Sequence, residues 1–308
     1  SSNNMIECSK VWRKENREVH KFLRAIGFSD ITKKDLEMIL DEVITRPEIM
    51  KITKDSEGNE FAELSGSFAA NAGITVRGTY QEDDSFHMDY YYPYVFGTSI
   101  TTNEQIDVEK HAEKESYAGV CDEVNLGVTL IFYIQNVADY LAETNRHLSK
   151  IHYGAMLAGL STEGKILCPV VERKKNDVPA IQKNDRHNQL IAQAREGDED
   201  AIESLTLEDM DTYALLSQRV MKEDIFSIVK STFMPFGIES DQYTVLGEII
   251  DCVTMENKLT HEKLYGMKLL CNNIQFDVCI NEKDLLGEPA IGRRFRGNVW
   301  MQGNLCLE

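Results

Sequence analysis

Apolar residues at Val19, Phe22, Leu23 and Ile26 recur at i, i+3, i+4 and i+7, the stripe of an amphipathic helix, and Gly27 follows where a left-handed cap residue is expected. The first helix is therefore predicted to end at Gly27. Thr32, with Asp35 three residues later, approximates a capping box ahead of Leu36, Ile39, Leu40 and Val43, while Pro47 limits the extension of this second helix.

From Glu60 the period changes to two. Ile74, Val76, Gly78 and Tyr80 alternate with polar positions, and Phe86, Met88, Tyr90 and Tyr92 do so after a Gln81–Ser85 turn, which predicts a hairpin. Ile106 and Val108 suggest a further strand. Val128 to Tyr133 is apolar on both faces, as a central strand should be. Val137 to Leu148 reads as a helix, and Tyr153–Leu160 with Lys165–Val171 as a second hairpin around Ser161–Gly164.

The stretch from Glu172 to Arg186, rich in Lys, Asn and Asp and without period, is the best linker candidate. Short helices are predicted at Asn188–Arg195 and Ala201–Leu205, a third capped by Thr206 and Asp209 and running through Val220, and a fourth over Glu223–Phe233. Strands follow at Thr244–Val253, Leu264–Cys271, Ile274–Ile280 and Phe295–Met301, with a short helix at Lys283–Leu286. The expected class is α+β: a mixed or antiparallel N-terminal sheet with flanking helices over 5–175, a helical connector over 187–235, and a C-terminal β part over 240–308. That last part reads either as a small barrel of the oligonucleotide/oligosaccharide-binding type or as a small antiparallel sheet on the connector helices.

Length and composition are compatible with a self-sufficient hydrophobic core: 308 residues, 42% hydrophobic and 27% charged. The longest apolar stretch, Leu126 to Ile134, is far below the roughly 20 residues of a membrane-spanning helix, and the first residues carry no apolar segment behind a basic start. A cytoplasmic protein without membrane contact is therefore expected. Seven scattered cysteines, none spaced C-x-x-C, fit a reducing compartment better than a disulfide scaffold or zinc finger. The net charge of −18 opposes phosphate backbones and so argues against general nucleic-acid binding. Eight carboxylates and no basic residue lie between Glu196 and Asp211, a pattern that a solvated face explains.

Phosphate loops, dinucleotide fingerprints, G-x-S-x-G elbows and H-E-x-x-H helices are absent from the sequence. Three weaker constellations are present. Glu109, His111 and Glu113 share one face if extended, as do His87 and Asp89; together they offer carboxylate and imidazole ligands for a divalent metal, or simply two solvated strand faces. Arg293, Arg294 and Arg296 beside Phe295 and Trp300 are the residue types that grip phosphate and stack bases, although Glu282, Asp284 and Glu288 lie close enough in sequence to pair with them. The tyrosines at 90, 91, 92 and 94 around Pro93 suggest two rings in the core and two at its rim, with Tyr91 and Tyr94 as the candidate interaction surface for a protein partner or self-association.

The segments His20–Phe28, His111–Val120 and Asp284–Gly297, the last reading DLLGEPAIGRRFRG, resemble domain of unknown function 3881, a family of bacterial proteins of about this length. The resemblance spans nearly the whole chain. It implies a cytoplasmic bacterial protein and brings no catalytic or ligand-binding residues with it. The reading favoured by the residues is a non-catalytic binding or regulatory protein, with no cofactor, acting through protein contacts; a metal-dependent hydrolase and a single-strand binder are the alternatives. The metal alternative predicts that millimolar Mn²⁺ or Zn²⁺ raises the melting temperature and that His111→Ala abolishes the rise. Melting curves unmoved by either ion leave the solvated-face reading.

Overall fold

The computed structural model describes residues 19–110, 115–146, 152–170, 193, 199–206, 229–238 and 240–307. The first apolar stripe forms a 3₁₀ helix, η1 (Lys21–Ile26), where an α-helix was expected; its cap amide, Gly27 N–H, bonds the Arg24 carbonyl three residues back. Gly27 is left-handed with φ of 94°, as a C-terminal cap requires, and a Cβ there would lie 2.6 Å from the Asn257 Cβ. Asn257, fully buried, donates to the Ile26 carbonyl at 2.7 Å. The end of η1 is thus fixed by a residue more than 200 positions away. Helix α1 (Lys33–Thr45) starts as predicted, with Thr32 Oγ1 accepting from Asp35 N–H, and buries Leu36, Ile39, Leu40 and Val43.

Among the described residues the fold is mostly β, with two sheets and few helices. The first sheet is an antiparallel meander of β1 (Ile49–Lys54), β2 (Glu60–Ala69), β3 (Ala72–Tyr80) and β4 (Phe86–Val95), in that order. Its β3–β4 hairpin turns at Gln81–Ser85 as expected, with the Gln81 amide bonded to the Ser85 carbonyl. A register shift where Arg77 faces Tyr90 and Gly78 faces Met88 leaves Asp89 as an extra residue. The uninterrupted alternation read through residues 86–92 is therefore broken by a bulge.

The second sheet has ten strands: β5 (Thr102–Lys110), β6 (Tyr117–Glu123), β7 (Val128–Ile134), β8 (His152–Leu167), β9 (Thr232–Pro235), β10 (Gln242–Glu256), β11 (Lys263–Cys271), β12 (Ile274–Asn281), β13 (Leu285–Leu286) and β14 (Arg294–Leu305). Helix α2 (Val137–Thr144) lies between β7 and β8, within the segment expected to be helical. The path β11-β12-β8-β5-β6-β7-β14-β10-β9 returns on itself through additional β10–β11 and β8–β14 pairings. Strands preceding residue 171 and strands following residue 229 therefore share one sheet, with β8 hydrogen-bonded to β12 and β14.

Four local expectations are corrected. The short helix expected at Lys283–Leu286 is a 3₁₀ turn over Glu282–Asp284 followed by strand β13, because Leu285 and Leu286 find partners in Gly164 and Lys165 of β8. Tyr153–Leu160 and Lys165–Val171 are not a hairpin: Ser161–Gly164 lies inside the single strand β8, and Leu167 ends it. The long antiparallel pairing with β14 keeps that polar stretch extended, and the ladder absorbs Thr162 as a bulge between Ser161↔Val299 and Glu163↔Asn298. Gly164 belongs there because a Cβ would sit 2.4 Å from the Phe295 ring. Thr232 and Phe233 are in strand β9 and not at the end of a helix, since β10 supplies them a partner. Thr206 lies inside the helical turn over 199–206, its hydroxyl donating to the Ile202 carbonyl, so it does not cap a following helix. The linker expected over 172–186, the helix expected over 188–195 apart from residue 193, residues 207–220 of the third helix and residues 223–228 of the fourth lie outside the described residues.

Two hydrophobic clusters hold these layers. One fills the second sheet with Phe132, Leu157, Met267, Phe276, Phe295 and Met301 among others; the second joins η1, α1 and the first sheet to Leu160, Cys279 and Trp300. Between the sheets stands Arg77, with no exposed surface. Its Nε donates to Glu63 at 2.8 Å, Nη1 to the hydroxyls of Tyr90 and Tyr133, and Nη2 to the carbonyls of Ile134 and Gln135. Glu63 in turn accepts the Ala138 amide at the start of α2. Burial opposes the guanidinium charge, but Tyr133, Tyr90, Tyr92 and Glu63 outweigh it and raise its pKa.

His20 is neutral for a related reason. Burial, with a smaller contribution from Lys21, lowers its pKa to about 4. Its ring stacks on Trp300 at 5.1 Å, Nδ1 accepts from the Phe22 amide, and its own amide donates to the Tyr91 hydroxyl.

Replacing Arg77 by Met should destabilise the protein by about 3–5 kcal/mol, because Glu63 is left buried and unpaired. Adding Glu63→Gln should recover part of that loss in urea unfolding. Arg77→Met with no change in midpoint refutes the role. For His20, the folded pKa lies below the unfolded value of roughly 6.5, so the unfolded chain binds the extra proton and stability falls as pH drops from about 6.5 towards 4. His20→Asn keeps a capping acceptor without a titrating ring. Its melting temperature should fall less over that window than that of the wild type, and parallel curves contradict the assignment.

Candidate functional site

Beyond the first sheet, the face of β14 that carries Trp300 and Gln302 continues through Asn298 and Arg296 to form an open groove of about 410 Å³. Its strand walls are Glu163, Gly164 and Lys165 of β8, Arg296, Gly297 and Asn298 of β14, and Thr244 of β10; Phe236 and Leu286 flank it. The register explains the composition. Lys165 faces Arg296, Glu163 faces Asn298, and Asn298 faces Thr244 across the adjacent ladder. Asn298 is fixed from both sides, its Oδ1 accepting from Thr244 Oγ1 at 2.7 Å and its Nδ2 donating to Glu163.

Two cations in direct cross-strand register repel each other, and an anion between them relieves that repulsion. Lys165 and Arg296 each also hold an interaction within the chain. Phe236 is 41% exposed and Leu286 74%, so apolar surface borders the charge on two sides. The arrangement suits a ligand that combines carboxylates with apolar groups.

The predicted arginine cluster is divided by position along the chain: Arg293 precedes β14, and Arg294 and Arg296, on one face of it, meet different neighbours. Arg294 is buried, its Nε donating to the Cys168 carbonyl and Nη1 to the Val229 carbonyl. Trp300 is buried and its indole N–H donates to Asp241 at 2.7 Å. Arg293 is exposed and donates to the Glu288 carbonyl. Of the four residues Arg296 alone lines the groove, where its partner in charge is Lys165, which the sequence reading passed over. The signal was present in the sequence only as a basic residue beside the Ser161–Gly164 stretch, and its meaning depends on the β8–β14 register.

Of the candidate metal ligands, His87 and Asp89 lie on β4 in the first sheet and Glu109 on β5 in the second. His87 Nε2 stands 4.0 Å from Asp89 Oδ1, with the His87 side chain 60% exposed. His111 and Glu113 lie outside the described residues. Among the described residues, no group of three or more His, Cys, Asp or Glu is arranged to hold a metal ion. Tyr94 is buried and stacked on Phe96 at 4.3 Å, while Tyr91 is half-buried against His20.

The six described cysteines are all free. Burial pushes the Cys121, Cys271 and Cys279 thiols up to about 12, and those of Cys252 and Cys306 also upward. These five are held in the poorly nucleophilic thiol form. No helix among the described residues is long and apolar enough to cross a membrane.

Comparison with known families gives one assignment. Residues 23–303 match the family described as "Domain of unknown function, E. rectale Gene description (DUF3881)", and the chain belongs to that family. No curated protein and no solved structure matches it.

Proposed function

We propose that this member of the DUF3881 family is a non-catalytic cytoplasmic binding protein that takes an acidic, partly apolar segment of a protein partner into the groove between β8, β14 and β10. The observation that carries the reading is the Lys165–Arg296 pair on one face, bordered by the exposed Phe236 and Leu286. In a chain of net charge −18, Lys165 and Arg296 outnumber the one carboxylate of the groove lining, Glu163, and this local excess of positive charge favours an anionic ligand. The free cysteines agree with a reducing compartment. The groove is walled by one strand from before residue 171, β8, and two from after residue 229, β10 and β14, which fits a reading in which an N-terminal α+β part and a barrel-like C-terminal part, linked by a helical connector, share the binding face.

The reading is tested with labelled octapeptides that alternate Glu with Phe or Leu, against counterparts that carry Lys in place of Glu. The acidic peptides should bind the wild-type chain, lose affinity as salt rises, and bind at least tenfold more weakly to a Lys165→Glu/Arg296→Glu variant. Equal binding of acidic and basic peptides, or an unaffected variant, overturns it. Stronger binding of mixed-sequence oligonucleotides than of acidic peptides replaces the protein ligand by a nucleic acid.

A further inference from the structure

Strand β1 is the outer strand of the first sheet and pairs with β2 alone among the described strands. The turn bond from Asp55 N–H to the Asn59 carbonyl fixes the phase of that ladder. In an antiparallel pair, alternate residues direct both backbone groups to the same neighbour, so Ile49, Lys51 and Thr53 bond β2 while Met50, Ile52 and Lys54 direct theirs outward. The Lys54 carbonyl conforms, accepting from the Asn145 side chain at 3.0 Å. That contact closes one end of the edge, and among the described residues the outward backbone groups of Met50 and Ile52 have no hydrogen-bond partner.

The side chains make this edge adhesive. Ile49 is 45% exposed, Met50 56% and Ile52 49%, an apolar run on a strand that natural edges usually protect with charge, proline or a bulge. Met50 and Ile52 lie on the same face as their register partners Leu64 and Ala62, which belong to the core cluster beneath α1. Residues added beside them would extend that core. The strand carries two cations: Lys51 is bound to Asp139 of α2 at 2.5 Å, and Lys54 is exposed at the end of the strand.

We propose that the outer edge of β1 docks an extended segment of a protein partner, with two apolar residues at i and i+2 and an acidic residue two positions beyond, which adds as a fifth strand to the four-stranded sheet. The apolar pair lies beside Met50 and Ile52 and the acid beside Lys54; the same spacing, reversed, serves the opposite strand direction. A second copy of the chain is a poor occupant. Six residues make an edge of about 20 Å, one strand wide, which falls short of the roughly 800 Å² that each partner contributes to a stable interface. Two chains of −18 also repel each other.

The test uses the full chain and two labelled heptapeptides, Thr-Val-Thr-Val-Thr-Glu-Thr and its reverse, read by fluorescence anisotropy. At least one should bind saturably, and a Met50→Lys/Ile52→Lys variant with an unchanged melting temperature should bind it at least tenfold more weakly. Methylating the peptide's inward-facing backbone nitrogens should abolish binding to the wild-type chain, which tests strand addition without altering the protein. A Lys165→Glu/Arg296→Glu variant should bind the same peptide as tightly as the wild-type chain, separating this site from the groove. No binding by either peptide at millimolar protein, indifference to N-methylation, or an unaffected β1 variant overturns the proposal. So does a dimer in sedimentation velocity that Ile52→Lys dissociates, because the second copy then holds the edge.

Discussion

A guanidinium buried without exposed surface has to satisfy five N–H donors inside the protein, and Arg77 does so by drawing on both sheets at once. Glu63 and Tyr90 come from the first sheet, and Tyr133 with the carbonyls of Ile134 and Gln135 from the end of β7 in the second. Glu63 extends the network to the first turn of α2. Apolar packing alone would leave two smooth sheet faces free to slide. A charge with this many fixed acceptors permits one relative placement, because any other leaves a donor or the Glu63 carboxylate unpaired.

From that placement the surface features follow. The first sheet covers β14 as far as Trp300 and Gln302, with Gln302 donating to the Pro93 carbonyl and Trp300 enclosed by His20 and Phe22. Past that boundary the same strand face is open, and Asn298, Arg296 and Lys165 line the groove. At the opposite side of the first sheet β1 projects as an edge, its Lys51 tied to α2 and its apolar side chains half in solvent. One face of β14 is thus core along part of its length and candidate site along the rest.

Cross-chain ties repeat at a smaller scale around η1. Arg24 grips Asp284 with two hydrogen bonds of 2.7 and 2.5 Å, and Lys283 bonds both Ser29 and Glu262. The Ile26 carbonyl is held by Asn257, and the Arg24 carbonyl by Asn281. Ion pairs of exposed residues contribute little individually. Here they accompany buried amides that fix a short 3₁₀ helix of six residues, which on its own would not persist in water.

Local order was legible in the sequence wherever the determinants lie within a few residues. The Gly27 cap, the Thr32 start of α1, the Gln81–Ser85 turn and the cores of β10, β11 and β12 were read from period, caps and turn residues, which act through the adjacent backbone. The tertiary structure decided what depends on a distant partner. Ser161–Gly164 has turn composition, yet twelve register pairs with β14 hold it extended; Thr232 and Phe233 are a strand because β10 lies beside them. The candidate site followed the same rule. The arginines at 293, 294 and 296 were visible as a cluster, but Arg293 precedes β14, Arg294 is buried against the carbonyls of Cys168 and Val229, and Arg296 is set against Lys165, 131 positions earlier in the chain. Charge and residue type are properties of single positions, whereas the face a strand presents, and the neighbour across its ladder, exist only once register is chosen.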